Sequence, residues 1–295
     1  MSVKAGAYIQ WHADRLLAEE GEISHYLLVE DTLIIHGEPD SVDGYIGVFI
    51  SLVSQFLQQG GVLEEATLEQ VTTLSLDKLD ALTREGLTRV RPGSKVYYYM
   101  DNVEVLAAYY ALMEVVEDPE ILGDLSNRIA AMEQGLQSLW DSQSQHYDIG
   151  LMENGQKIPA GDLKRLYPDG IAQVYNIAFE VYPMGLKHAG EQYERFSSLR
   201  AWEKLDYLKD NDFLWTERLF IAARMGDIQK AQVYLHHYQE FLDSSRLYPF
   251  HVGTAGWSLK AVAVMIEGFE GLRDSSLWED FKRDRILETR SMERD

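Results

Sequence analysis

Apolar residues return every three or four positions over long stretches of this chain, and that spacing confines most of it to amphipathic α-helix. Between Tyr45 and Leu57 the positions Tyr45, Val48, Phe49, Leu52 and Phe56 share one helical face, and Gly60-Gly61 then stops the helix. The pattern recurs and predicts eleven helices, near 3–19, 42–59, 65–85, 101–117, 119–141, 169–183, 188–205, 213–225, 227–243, 253–271 and 275–287. Most fall in pairs joined by short turns such as Met225-Gly226-Asp227. Two stretches break the pattern and read as β-hairpins or extended loops. In the first, Tyr26 to His36, Leu27-Leu28-Val29 and Leu33-Ile34-Ile35 flank Glu30-Asp31-Thr32; in the second, Gln145 to Ile158, Glu153-Asn154-Gly155 makes the turn.

No Pro-rich or Ser-rich linker interrupts the helices, so residues 1–295 read as one domain, with a charged tail from Lys282 to Asp295 whose last residues, about 288–295, are expected to be disordered. Hydrophobic residues make up 46% of the chain, enough for a substantial core. The 48 Asp and Glu outnumber the 27 Lys and Arg, for a formal charge of -21, which repels nucleic-acid phosphates and an anionic membrane and leaves neutral or cationic ligands as partners. With no cysteine, disulfides, thiol nucleophiles and Cys-based zinc sites are excluded. Met1 to Leu17 carries Lys4, His12, Asp14 and Arg15 without a continuous apolar run, so it reads as neither signal peptide nor membrane anchor. A soluble cytoplasmic protein is expected, or an exported one if a signal has been removed.

The openings of the helix pairs resemble one another. Acidic or polar residues stand with aromatic ones at Asp40-Ser41-Val42-Asp43-Gly44-Tyr45, Tyr99-Met100-Asp101-Asn102-Val103-Glu104, Tyr167-Pro168-Asp169-Gly170, Phe213-Leu214-Trp215-Thr216-Glu217 and Tyr248-Pro249-Phe250-His251. Their separations vary too much for a tetratricopeptide or ankyrin array. If the first helices of all pairs form an inner barrel, these openings converge on one rim. Such a cleft suits a sugar, whose rings stack on aromatic faces while its hydroxyls bond carboxylates and amides.

At these openings the sequence resembles the six-hairpin (α/α)6 glycosidase superfamily, and is nearest in look to glycoside hydrolase family eight. The likeness rests on Asp40 to Phe49, on Met100 to Val105, on Leu139-Trp140-Asp141 leading to Tyr147-Asp148-Ile149-Gly150, on Tyr167 to Gln173 and on His251 to Trp257. It implies an all-α toroid of helical hairpins with short β-hairpin insertions, and a hydrolase that inverts configuration at an oligo- or polysaccharide bond. Two departures stand against it: the family's Ser-Glu-Gly segment, source of the general acid, is absent, and eleven helices are read where twelve belong.

Glycoside hydrolysis uses two carboxyl groups, one protonated as acid and one ionised as base or nucleophile. The catalytic candidates are Asp43, Asp40, Asp101 and Glu104, with Glu22 and Glu38 as weaker replacements for the missing acid. Asp before an apolar run is equally an ordinary helix cap, and Glu104 equally a helix-surface residue. Tyr45, Tyr99, Asn102, Tyr167, Asp169, Gln173, Trp215, Glu217, His251 and Trp257 are the sugar-binding candidates, joined by the aromatics Tyr97, Tyr98 and Tyr248; core packing is the competing reading of each ring. His236 and His237 are adjacent and point to different helix faces, so no metal site is implied. No phosphate-binding Gly loop or Gly-x-Ser-x-Gly elbow occurs, and no cofactor is implied. The competing functional readings are a noncatalytic toroid that binds saccharide or protein, having lost the acid, and an open helical-repeat scaffold.

Overall fold

The computed structural model describes residues 3–203, 214–243 and 252–267, and the chain divides into two compact units, Met1–Leu199 and Arg200–Asp295. The described residues are rich in helix, with short antiparallel strand pairs between helices. In the first unit the order is α1 Val3–Ala18, β1 His25–Val29, β2 Thr32–Gly37, α2 Val42–Gln58, α3 Glu65–Leu82, β3 Thr83–Arg84, β4 Leu87–Thr88, β5 Val96–Tyr98, α4 Tyr99–Met113 and α5 Pro119–Ser138. It continues with β6 Trp140–Asp141, β7 His146–Tyr147, β8 Gly150–Met152, β9 Lys157–Ile158, a single π turn over Leu166–Gly170, α6 Tyr175–Ala178 and α7 Leu186–Ser198. The second unit holds α8 Glu217–Arg224, α9 Ile228–Asp243 and α10 Val252–Glu267.

The core of the first unit is the packing of α2 on α4. Ile46, Phe49, Ile50 and Val53 of α2 are buried, as are Val103, Leu106 and Tyr109 of α4. Gly47 sets how close the two helices come, because a Cβ there would stand 2.9 Å from Glu104 C and Val105 N. Local signals place the helix starts. Ser41 caps α2 by accepting from the Gly44 N–H, and Asp118 caps α5 ahead of Pro119 by accepting from Glu120 and Ile121.

The first hairpin forms as predicted, with Val29 paired to Thr32 and the turn made by Glu30 and Asp31, both left-handed at φ 47° and 62°. The second becomes a richer set of strands. Trp140–Asp141 pairs with His146–Tyr147, and β8 and β9 join β5 in a three-stranded sheet. The helices predicted over 119–141 and 65–85 therefore end early, at Ser138 and Leu82. After Leu82 a tight turn at Glu85 (φ 52°) and Gly86 (φ 81°) returns the chain to β4, and Gly86 is required there because a Cβ would fall 2.1 Å from the Ala131 carbonyl oxygen.

The single helix predicted over 169–183 does not form. Pro168 holds Tyr167 extended (φ −113°, ψ 135°), and the Gln173 amide bonds both the N–H and the C=O of Tyr147, so tertiary pairing replaces a continuous helix with the π turn and the short α6. The helix predicted over 101–117 runs from Tyr99 to Met113, and the one over 188–205 ends at Ser198. In the second unit the left-handed Trp215 (φ 49°) delays the helix predicted from 213 until Glu217. There α8 packs against α9 and α10: Phe220 lies 5.4 Å from the Trp257 ring, Thr216 Oγ1 donates to the Thr254 carbonyl at 2.9 Å and Tyr234 Oη to the Leu214 carbonyl at 2.6 Å. The helix predicted over 275–287 and the terminal tail lie outside the described residues. Among those residues, no helix is long and apolar enough to cross a membrane.

Candidate active site

Close approach of α2 and α4 brings their N-terminal turns together, and with them four of the predicted carboxyl groups. Asp40 is exposed just ahead of α2, Asp43 lies in its first turn, and Asp101 and Glu104 follow one another on the facing side of α4. Gly44 leaves the space between them open: a Cβ there would stand 2.7 Å from Glu104 Oε2 and 3.7 Å from Asp101 Cγ.

The four are not equivalent. Asp43 is fully buried and both its oxygens are engaged. Oδ1 accepts from the Gly44 N–H at 2.9 Å and from Ser41 Oγ at 3.0 Å, and Oδ2 accepts from Thr88 Oγ1 at 2.9 Å. Thr88 is held in turn by Asn102, whose Oδ1 accepts the Thr88 N–H at 2.7 Å and whose Nδ2 donates to the carbonyls of Thr88 (3.0 Å) and Tyr98 (2.8 Å). Asp101 is partly exposed, and its Oδ2 lies 3.1 Å from the same Ser41 Oγ that bonds Asp43. Glu104 Oε1 accepts from Tyr175 Oη at 2.7 Å.

Electrostatics follow from this geometry. Burial pushes the Asp43 carboxyl above the ordinary carboxylate range, and the hydrogen bonds from Thr88, Gly44 and Ser41 oppose it. Asp101 is pushed up first by burial and then by the charge of Asp43, with Asp40 adding and the Ser41 bond opposing, and of the two it is displaced further. Tyr167 belongs to the same rim: burial raises its phenol, and the charges of Asp101 and Asp40 add to the effect.

The remaining candidates of the first unit serve its framework. Tyr99 is fully enclosed, its ring stacked 4.5 Å from Tyr147, so it offers no face to a sugar. Asn102 uses its amide on Thr88 and Tyr98. Asp169 accepts from the Gly161 N–H at 2.7 Å, and Gln173 is spent on Tyr147 and the Asp169 carbonyl. Tyr45 turns to α1, with its hydroxyl 2.6 Å from His12 Nδ1 and its ring stacked on Phe49. Tyr97 is buried beneath Arg89, whereas Tyr98 is exposed beside the rim. Glu22 is paired with Lys78 (2.7 Å) and Glu38 with Arg91 (3.4 Å); both line a cleft of about 540 Å³ with Pro39, Val42 and Ser94.

Trp215, Glu217 and Trp257 belong to the second unit. Glu217 opens α8 and burial pushes its carboxyl up to about 7, while Trp257 carries Lys260 Nζ 4.7 Å from its ring. His251 and Tyr248 lie outside the described residues. His236 and His237 both approach the one carboxylate of Glu240, and among the described residues no three His, Asp or Glu side chains cluster as metal ligands. The site also contains Ser41, Gly44, Thr88 and Tyr175, which the sequence reading does not single out. Ser41 had a signal in its place between two aspartates at a helix start; Thr88 and Tyr175 had none, because their partners are 45 and 71 residues away.

No protein-family model matches the chain, and no curated protein matches it in sequence. Several solved structures align with parts of it at low identity. A rhamnosidase from Klebsiella oxytoca with rhamnose bound aligns over 76% of this chain and 43% of its own, at 15% identity and a TM-score of 0.48. A GH78 family rhamnosidase of Bacillus sp. GL1 aligns over 73% and 23%, at 11% identity and 0.40, and a GH63 mannosylglycerate hydrolase from Thermus thermophilus in complex with glucose over 88% and 66%, at 14% identity and 0.38. The chain thus spans less than half the length of either rhamnosidase. None of the three is described as a family-eight enzyme.

Proposed function

We propose that this chain is a glycoside hydrolase-like protein, a single (α/α)6 ring of helical hairpins that cleaves an oligo- or polysaccharide with inversion of configuration. The observation that carries the reading is Asp101: a partly exposed carboxyl, raised by burial and by an enclosed carboxylate, at an open rim beside Asp40, Glu104 and Tyr167. In this scheme Asp101 enters the reaction protonated and gives its proton to the glycosidic oxygen as the bond to the anomeric carbon breaks. Asp40, at the exposed edge, takes a proton from the attacking water. Glu104, one turn from Asp101 on the same helix face, bonds a sugar hydroxyl in this scheme. Tyr167 and Tyr98 supply ring faces to the sugar.

The test is a screen of the protein against β-glucans, α-glucans, xylan, chitosan and poly-N-acetylglucosamine, reading reducing ends and binding together. Asp101→Asn and Asp40→Asn are each expected to lower turnover by at least about 100-fold with little effect on binding. Full cleavage by Asp101→Asn removes the assignment. The second reading, a noncatalytic saccharide- or protein-binding toroid, is favoured by the saturated bonding of Asp43 together with the absent Ser-Glu-Gly segment, and predicts binding without cleavage.

A further inference from the structure

We propose that Ser41 is a two-position hydrogen-bond switch between Asp43 and Asp101, so that the two carboxyl groups hold one proton between them and Asp101 is the member that releases it. The inference rests on the reading of Asp101 as the acid, and makes Ser41 and Asp43 positioning residues that do not touch the substrate.

A serine hydroxyl has a single hydrogen to donate, yet Ser41 Oγ lies 3.0 Å from Asp43 Oδ1 and 3.1 Å from Asp101 Oδ2 while accepting the Gly44 N–H at 3.2 Å. It therefore serves one carboxyl at a time. Asp43 has the better fixed supply of donors, the Gly44 N–H and the Thr88 hydroxyl, and keeps these whichever way Ser41 turns. Asn102 fixes Thr88 through its backbone, so that supply does not drift. Two carboxylates bridged by one hydroxyl, one of them fully buried, do not both ionise readily, and the proton rests on the one with fewer donors, which is Asp101. When Asp101 gives its proton away, the Ser41 hydrogen swings from Asp43 to the new carboxylate and stabilises it. The other groups facing Asp101 are Asp40 at the α2 entry, Glu104 on its own helix and Tyr167 from the π turn, with Tyr98 and Arg165 behind Tyr167.

Removing either positioning residue moves the Asp101 titration, and in opposite directions. Asp43→Asn deletes the like charge and lowers the midpoint by about one pH unit. Ser41→Ala takes a donor from both carboxyls, but Asp43 keeps the Gly44 N–H and the Thr88 hydroxyl, so charged Asp101 loses more and its midpoint rises. Thr88→Val weakens the hold on charged Asp43, and so lowers the Asp101 midpoint in the same sense as Asp43→Asn without altering either carboxyl. The measurement is carbon-13 NMR titration of the side-chain carboxyls in the whole chain, with the Asp101 signal assigned by its loss in Asp101→Asn and folding of each variant checked by circular dichroism. Opposite shifts for Ser41→Ala and the Asp43→Asn or Thr88→Val variants support the switch. No shift, or shifts of one sign in all of them, overturn it. Because no sugar enters the titration, a chain that cleaves nothing in the screen still reports on the switch.

Discussion

Asp101 shows how far a residue's surroundings outweigh its type. In a flexible chain its carboxyl ionises near 3.8; in the folded protein, burial, Asp43 and Asp40 push it to about 7. The native state therefore retains a proton that the unfolded chain loses between those values. Its contribution to stability is fully present below about pH 4 and is lost as the pH rises through about 7. Asp101→Asn has no such titration. It should leave stability near that of the parent at pH 4 and exceed it at pH 8 by a few kcal/mol, on the order expected for a carboxyl displaced this far. Chemical denaturation at the two pH values measures both, and a variant less stable than the parent at pH 8 contradicts the assignment. The position of Asp101 at a helix start was readable beforehand, since acidic residues in first turns are a local signal. Its partners were not: Ser41 bonds it across 60 residues, and that separation carries no periodicity to read.

Among the elements, the pairing of α2 with α4 decides whether a site exists. Gly44 and Gly47 lie one turn apart on α2 and have different tasks. At Gly47 a Cβ would meet the backbone of α4, which cannot yield, so Gly47→Ala is expected to cost about 1–3 kcal/mol of stability in thermal or urea unfolding. At Gly44 the nearest atoms are side-chain oxygens of Glu104 and Ser41, each 2.7 Å away, which can move. Gly44→Ala should therefore unfold within about 1 kcal/mol of the parent while spoiling sugar cleavage or binding, because its methyl fills the gap between the carboxyls. Equal loss of stability in the two variants would argue against this division. The helices themselves were legible from apolar spacing, and the hairpin of β1 and β2 from its two apolar runs about an acidic turn. What escaped was the strand set from Thr83 to Tyr98 and the break at Tyr167, where segments of two to five residues are too short to show a period and their partners lie far along the chain.

Over the whole molecule the formal charge of -21 works against compactness, because most of the surplus carboxylates repel one another. Ion pairs such as Lys78 with Glu22 and Arg128 with Asp80 offset part of this, but 27 basic residues cannot pair 48 acidic ones. Raising sodium chloride from about 0.01 M to about 1 M shortens the Debye length from about 30 Å to about 3 Å, and the melting temperature is expected to rise across that range. A fall would mean that screened ion pairs outweigh screened repulsion. Composition and spacing by themselves determined the charge, the helical class, most helix starts and the gathering of acidic residues at two of them, since each depends on neighbours within a turn or on a sum over residues. Only the tertiary structure decided that Asp43 is enclosed and Asp101 is not, that Thr88 and Ser41 attend them, and that Tyr99 is core. Burial and a shared hydroxyl are relations between distant segments, and they come into being only when α2 and α4 meet.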